Sequence, residues 1–284
     1  MNSSYFHRLT HFCIIFCLKS IKLIPSFAMV SIIDTHVHLE EIENLEEVLQ
    51  RALQNNVSSL IAVGSDYLSN KKNLELSKKI NTPKIYIALG IHPMNINLDE
   101  LEQTIKFIEE NVKECIAIGE VGLDYWAKEV RKNRYEKDKQ CKVLELQLEI
   151  AKKHYKPVIL HSRGAWQECY EMAKSKNIEK AVFHWYSGPV EILNRIIQEG
   201  YFISATPALQ YSPPHRSAIE HTPIENIIVE TDSPVRYKTA SGEVYTSEPK
   251  DVIETLHWLS VIKKIAFDDV VNITMQNAKQ LFNI

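Results

Sequence analysis

The chain has 284 residues, with 33 lysines and arginines against 36 aspartates and glutamates, for a formal net charge of −3. Hydrophobic residues make up 45% and charged residues 24%, the usage of a folded globular domain, which excludes disordered, collagen-like and multi-span membrane classes. A slightly acidic balance also excludes a protein that coats nucleic acid through bulk positive charge, so any such substrate has to be held by local basic groups.

In chain order, Phe12 to Leu18 is apolar but too short to span a bilayer, and Lys19 and Lys22 close off the apolar run. Met29 stands directly before a strand-like segment, VSIIDTHVHL. Residues 1–28 are therefore expected to be an extension upstream of the true start, with a weak signal peptide ending near Ser26-Phe27-Ala28 as the competing reading. The body of the protein is then 29–284. Five cysteines, Cys13, Cys17, Cys115, Cys141 and Cys169, are odd in number and contain no CxxC pair, which supports reduced thiols in a cytoplasmic protein.

From Met29 onward, short β-branched runs alternate with stretches of helical periodicity. The pattern predicts strands at Ser31–Asp34, Ser58–Val63, Ile85–Gly90, Cys115–Gly119, Pro157–Leu160, Ala181–Phe183, Tyr201–Ser204 and Ile227–Glu230. Helices are expected near 43–55, 70–80, 99–112, 136–154, 165–176, 189–199 and 215–221, then near 249–264 and 268–282. Eight strands, each followed by a helix, in roughly 250 residues is the arithmetic of a single-domain α/β protein, the (β/α)8 TIM barrel. A doubly wound open sheet is disfavoured, because no glycine-rich phosphate loop follows the first strand and the chain has only 8 glycines.

The ionisable residues fall at strand ends. Strand one runs into His36 and His38, strand four into Glu120, strand five into His161, strand six into His184 and strand eight into Asp232. In a barrel these ends converge on one rim, where active sites are built. A lone HxH is weak evidence, since a polar strand end explains it equally well. Four histidines, one glutamate and one aspartate at the same rim are the ligand set of a divalent metal. Six candidate ligands exceed one tetrahedral ion and suit two, with Glu120 as the bridge. The expected sharing is His36, His38 and Asp232 on one ion, and His161 and His184 on the other. A hydroxide between the ions would be the nucleophile, Asp232 could accept its proton, and a phosphate or acyl ester would be hydrolysed.

DTHVH, GIHP, GEVGLDY, QLEIAKKHYKPVILHSR, FHWYSG and ETDSP, in this order, resemble the TatD family of metal-dependent deoxyribonucleases within the amidohydrolase superfamily. The resemblance covers essentially Met29 to Ile284. It implies a metal-dependent hydrolase barrel, two divalent cations (magnesium, manganese or zinc), and cleavage of DNA phosphodiester bonds. It places His36, His38, Glu120, His161, His184 and Asp232 where the family has ligands; the reading of the residues themselves makes Glu120, as the bridge, and Asp232, as the proton acceptor, the catalytic pair. It also brings an alternative, since family members have been assigned other hydrolytic roles such as deacylation of D-aminoacyl-tRNA; tRNA is then the partner in place of DNA. FHWYSG departs from the pattern by carrying Trp185 and Tyr186, and ISATPALQYSPPH lacks the glycine usual after the seventh strand, departures that bear on substrate preference.

Tyr125 to Lys142 holds seven Lys/Arg and three Asp/Glu, a local charge of +4. Lys128, Arg131, Lys132 and Arg134 lie nearest the strand end and are candidates to screen phosphates, while Lys137 onward reads as the solvated face of the next helix. Arg163, two residues after His161, offers a fork suited to phosphate, with a salt bridge to a nearby carboxylate as the bland alternative. His92 and Arg236 complete the candidate substrate contacts. Trp126 and Trp185 are possible base-stacking aromatics, although packing is the commoner role. His7, His11, His154, His215, His221 and His257 read as ordinary. A small cyclic amide is a disfavoured substrate because strand four offers no lysine for carboxylation. A metal-stabilised binding module is disfavoured because a structural ion prefers a closed four-ligand shell.

Overall fold

The computed structural model describes residues 31–284, so the expectations for residues 1–28, for a start at Met29 and for Cys13 and Cys17 lie outside the described residues. Aliphatic and β-branched runs form eight strands: β1 (Ile32–Val37), β2 (Val57–Val63), β3 (Lys84–Leu89), β4 (Ala117–Gly122), β5 (Val158–His161), β6 (Ala181–Phe183), β7 (Phe202–Ala205) and β8 (Ile227–Val229). They pair in parallel and in chain order from β1 to β8. Parallel neighbours need a crossover each, and the helices supply it. These are α1 (Leu45–Gln54), α2 (Tyr67–Lys79), α3 (Leu101–Glu110), α4 (Arg134–Lys153), α5 (Trp166–Ser175), α6 (Val190–Gln198), α7 (Pro213–His221), α8 (Val252–Lys263) and α9 (Phe267–Phe282).

The predicted (β/α)8 barrel is the observed architecture, and its last seam shuts at the rim. Asp232 N donates to the His36 carbonyl at 2.9 Å and His38 N to the Ser233 carbonyl at 2.9 Å, while Thr35 Oγ1 donates to the Val229 carbonyl at 2.8 Å. The hydrophobic cluster inside draws on every strand, with Ile33, Ile61, Ala88, Ala117, Ile159, Val182, Phe202 and Ile228 packed with Ala278, Leu281 and Phe282 of α9. Burying each larger aliphatic side chain contributes roughly 1.5–3 kcal/mol. The helix starts follow capping chemistry: Asp66 and Ser69 form a reciprocal capping box at α2, and the Asn133 side chain accepts from Glu136 N at α4.

Two strand ends lie three residues beyond the sequence expectation, the others within one. β1 runs past Asp34 to Val37 and β4 past Gly119 to Gly122, so His36 and Glu120 lie within strands and not just beyond them. Polarity normally ends a buried strand, but here the polar groups are satisfied inside. Asp34 Oδ2 accepts from Thr231 Oγ1 at 2.5 Å, and its Oδ1 accepts from Thr231 N at 3.0 Å. Gly122 has φ +149°, and a Cβ there would lie 1.9 Å from the His161 carbonyl oxygen, so only glycine lets β4 approach β5 this closely. The long segment after β8 holds a two-stranded antiparallel hairpin, β9 (Arg236–Lys238) with β10 (Val244–Thr246), which the sequence reading did not predict because both strands are short, mostly exposed and carry no apolar run. Cys115, Cys141 and Cys169 are free thiols, and among the described residues no helix is long and apolar enough to cross a membrane.

Candidate metal centre at the barrel rim

Glu120 stands in the middle of the rim, fully buried on β4, and its two oxygens face different partners. Oε2 lies 3.2 Å from His36 Nε2 and 3.5 Å from His38 Nε2. Oε1 lies 2.8 Å from His161 Nδ1 and 2.9 Å from His184 Nε2. Asp232 Oδ1 joins the first group, 3.5 Å from His36 Nε2 and 3.3 Å from His38 Nε2. The structure therefore brings all six sequence-predicted ligands together, sorted about the two oxygens of one carboxylate.

The cluster's electrostatics result from this crowding. Burial alone would raise Glu120, but the surrounding imidazoles, His184 foremost, and the hydrogen bond with His161 outweigh it and hold the carboxyl well below its usual range. Burial likewise works against a charged His184 and a charged His38. The Glu120 and Glu230 carboxylates beside His184, and Asp232 and Glu120 beside His38, reverse that and raise both imidazoles well above the ordinary value. Asp232, pushed up by burial, is brought below its ordinary value by His38, His36 and His184. Carboxylates kept ionised and imidazoles facing them are the donor set of a divalent cation, which would compete with the imidazole protons. Asp232 Oδ1 is buried and has no hydrogen-bond partner among the described residues, although it points at two imidazole nitrogens. The residues present fit bound metal.

Behind the ligands stand carboxylates that orient them, and sequence reasoning missed these. Glu230 Oε1 lies 3.2 Å from His184 Nδ1, Glu230 Oε2 lies 3.6 Å from His36 Nδ1, and the Ser204 hydroxyl donates to Glu230 Oε1 at 2.8 Å. Asp124 Oδ2 lies 3.0 Å from His161 Nε2 and its carboxyl is held far below the usual range, where burial is outweighed by His161 and Arg163. Glu230 takes the outer N–H of His184 and Asp124 that of His161, which turns their inner lone pairs toward the centre. The available signal for Glu230 was its i, i+2 spacing to Asp232, the same spacing that marked His36 and His38. Two residues at the rim hold positive φ without being glycine, Asp232 at 51° and Trp185 at 43°, a strain that collects at functional positions.

The predicted substrate contacts divide. His92 Nε2 reaches the centre, 3.3 Å from His161 Nδ1 and 3.7 Å from Glu120 Oε1. The Met94 backbone N–H donates to His92 Nδ1 at 3.1 Å, and burial pushes the ring down to about 3, so the ring is neutral and its proton sits on Nε2. A ring in that tautomer donates toward the centre and cannot ligate through Nε2. Arg163 makes the bland contact: Nε and Nη2 both donate to Asp124 Oδ2 at 2.8 Å, with about half the side chain, 55%, exposed. Lys128 and Arg236 are exposed, and no contact ties them to the cluster among the described residues. The basic stretch begins to pair only at Arg134, with Asp138, and Lys139, with Glu136.

Comparison with known proteins bears on this geometry. The family described as TatD related DNase matches residues 33–283. A metal-dependent hydrolase of Methanocaldococcus jannaschii is 30% identical over 258 residues, 89% of this chain and 97% of that one. The human deoxyribonuclease TATDN3 is 28% identical over 267 residues, 90% of this chain and 96% of its own. Among solved structures, the TatD homolog YJJV of Escherichia coli superposes with a TM-score of 0.80 at 26% identity, covering 90% of this chain and 99% of that one.

Proposed function

The chain belongs to the TatD-related DNase family of metal-dependent hydrolases, and on that premise we propose that it cleaves DNA phosphodiester bonds at a site for two divalent cations. The observation that carries the reading is the division of Glu120, one oxygen toward His36 and His38 and the other toward His161 and His184. His36, His38 and Asp232 would hold one cation and His161 and His184 the other, with Glu120 shared. Magnesium, manganese or zinc at such a site would supply charge for the phosphate oxygens and acidify a water.

The chain's own groups supply the rest. Asp232 is ionised at neutral pH and is placed to take a proton from the attacking water. His92 presents its Nε2–H to an anionic oxygen of the substrate, and the exposed part of Arg163 offers a second donor. Lys128 and Arg236 would meet the strand farther out. Reduced cysteines fit a cytoplasmic setting.

The test is a panel of single-stranded DNA, RNA, D-aminoacyl-tRNA and a dihydropyrimidine with Mg²⁺, Mn²⁺ or Zn²⁺. Wild type and Glu120→Ala are compared, and bound metal is counted by elemental analysis. DNA cleavage with about two metals per chain in wild type, and neither in the variant, is the expected result. DNA left intact while another substrate turns over would overturn it.

A further inference from the structure

We propose that Trp126 is a stacking platform for an unpaired nucleobase beside the metal centre, a proposal that rests on the nuclease reading and names the form of nucleic acid the site takes. Trp126 is 59% exposed, an unusual state for the largest apolar side chain. It is nevertheless held rigidly. Gly164, at φ +73°, lies so close that a Cβ there would come within 2.3 Å of Trp126 Cδ1 and 2.7 Å of its Nε1. Trp166, at the start of α5, stands edge-on to it with centroids 5.1 Å apart and planes at 89°. An indole backed by glycine backbone and pinned by a neighbouring ring has lost its conformational freedom already, so stacking on it costs little further entropy.

Its position is tied to the reaction. Asp124 Oδ1 accepts from Trp126 N at 3.1 Å and from Ala127 N at 3.0 Å, while Oδ2 of the same carboxylate lies 3.0 Å from His161 Nε2. One carboxylate thus sets both a ligand imidazole and the loop that carries the platform. The charge on that loop selects the occupant. Lys128, Arg131 and Lys132 come within six residues of it and are exposed, ahead of the ion pairs that start at Arg134. An aromatic face with cations spaced along the next few residues matches a single strand, whose bases are free to stack and whose phosphates need neutralising. Trp185 does not compete for this role. It is half-buried, lies 5.2 Å from the Tyr237 ring, and Tyr237 in turn lies 6.3 Å from Tyr245, so it belongs to a packed aromatic row under the hairpin.

The experiment uses the metal-loaded full chain, single-stranded oligonucleotides with 2-aminopurine or an abasic residue at successive positions, and a fully abasic dinucleotide as a small diester with no ring to stack. Trp126→Ala is expected to raise KM for single-stranded DNA roughly 5- to 100-fold with little change in kcat, the range set by loss of one base–aromatic stack. It should abolish 2-aminopurine quenching at one position and leave the base-free diester unaffected. Trp126→Phe should recover most of the loss, and an abasic residue at the quenched position should make wild type and Trp126→Ala alike. Equal KM and equal quenching in wild type and Trp126→Ala would overturn the platform while leaving the nuclease reading intact. A wild type that hydrolyses the small diester but neither binds nor cleaves any oligonucleotide would overturn both.

Discussion

His184 and His215 are both buried and both touch the segment after β6, yet they have been given opposite surroundings. His184 lies between Glu120 and Glu230, whose charges overcome its burial and raise it well above the ordinary histidine value. His215, on α7, meets a carbonyl, an amide and a hydroxyl: its Nδ1 lies 2.7 Å from the Tyr186 carbonyl, the Thr206 N–H donates to its Nε2 at 3.1 Å, and Thr206 Oγ1 lies 3.3 Å from the same nitrogen. Burial there outweighs the Tyr186 carbonyl and the charge of Glu230 and pushes His215 down to about 4. Both rings are held at both nitrogens. Carboxylates favour a charged histidine, and neutral hydrogen-bonding groups leave a neutral bolt between two loops.

Removing the central charge should break this contrast most severely. Glu120→Gln is expected to cut turnover by roughly 10³-fold or more, since bound metals contribute several kcal/mol to such reactions, and to lower metal content by elemental analysis. His215→Asn should keep its metals. Metal loss in His215→Asn as well would show that the two histidines do not differ in the way proposed.

His215 dominates the next prediction, through stability. Between pH 6.5 and about 4 the unfolded chain binds a proton at this ring that the fold excludes. Stability from His215 is therefore complete above pH 6.5 and declines as pH falls toward 4, by about 3 kcal/mol in all. Chemical denaturation across that window should show the loss in wild type and a flatter profile in His215→Asn.

Glu230→Gln sharpens the comparison from the other side. It retains a hydrogen-bonding group beside His184 Nδ1 but removes the charge, and metal affinity measured by calorimetry should fall roughly 10- to 100-fold. The proton release that accompanies metal binding should persist. The smallest effect is expected far from the cluster. Arg51 donates to both oxygens of Glu248 at 2.8 Å and thereby holds that partly exposed carboxyl below its usual value. Arg51→Ala should lower the melting temperature slightly at neutral pH, with the difference vanishing as acid protonates Glu248.

How much was legible differs residue by residue. HxH in an extended segment puts two imidazoles on one side, and five strand ends meet at one rim, so the candidate ligand set could be read without coordinates. Asp124 could not be assigned from sequence. Its partner His161 lies 37 residues away on the next strand, and no local pattern separates a carboxylate that orients a ligand from one at a loop start. Arg163 had two equal readings, phosphate or carboxylate, and the fold supplies the carboxylate. Ser233 to Glu248 read as a long rim segment, and its hairpin was invisible because RYK and VYT are mostly exposed and lack the apolar run that marked Ala181–Phe183.

The chain alone determined the alternation of strand and helix, hence the barrel, because burial demands its own period in each element, and it placed the ionisable groups at strand ends. Tertiary structure decided which atom faces which: the two directions of Glu120, the backing of His184 by Glu230, and the neutrality of His215. Those outcomes depend on distances of about 3 Å between residues tens of positions apart, and only the closed ring of strands sets such distances.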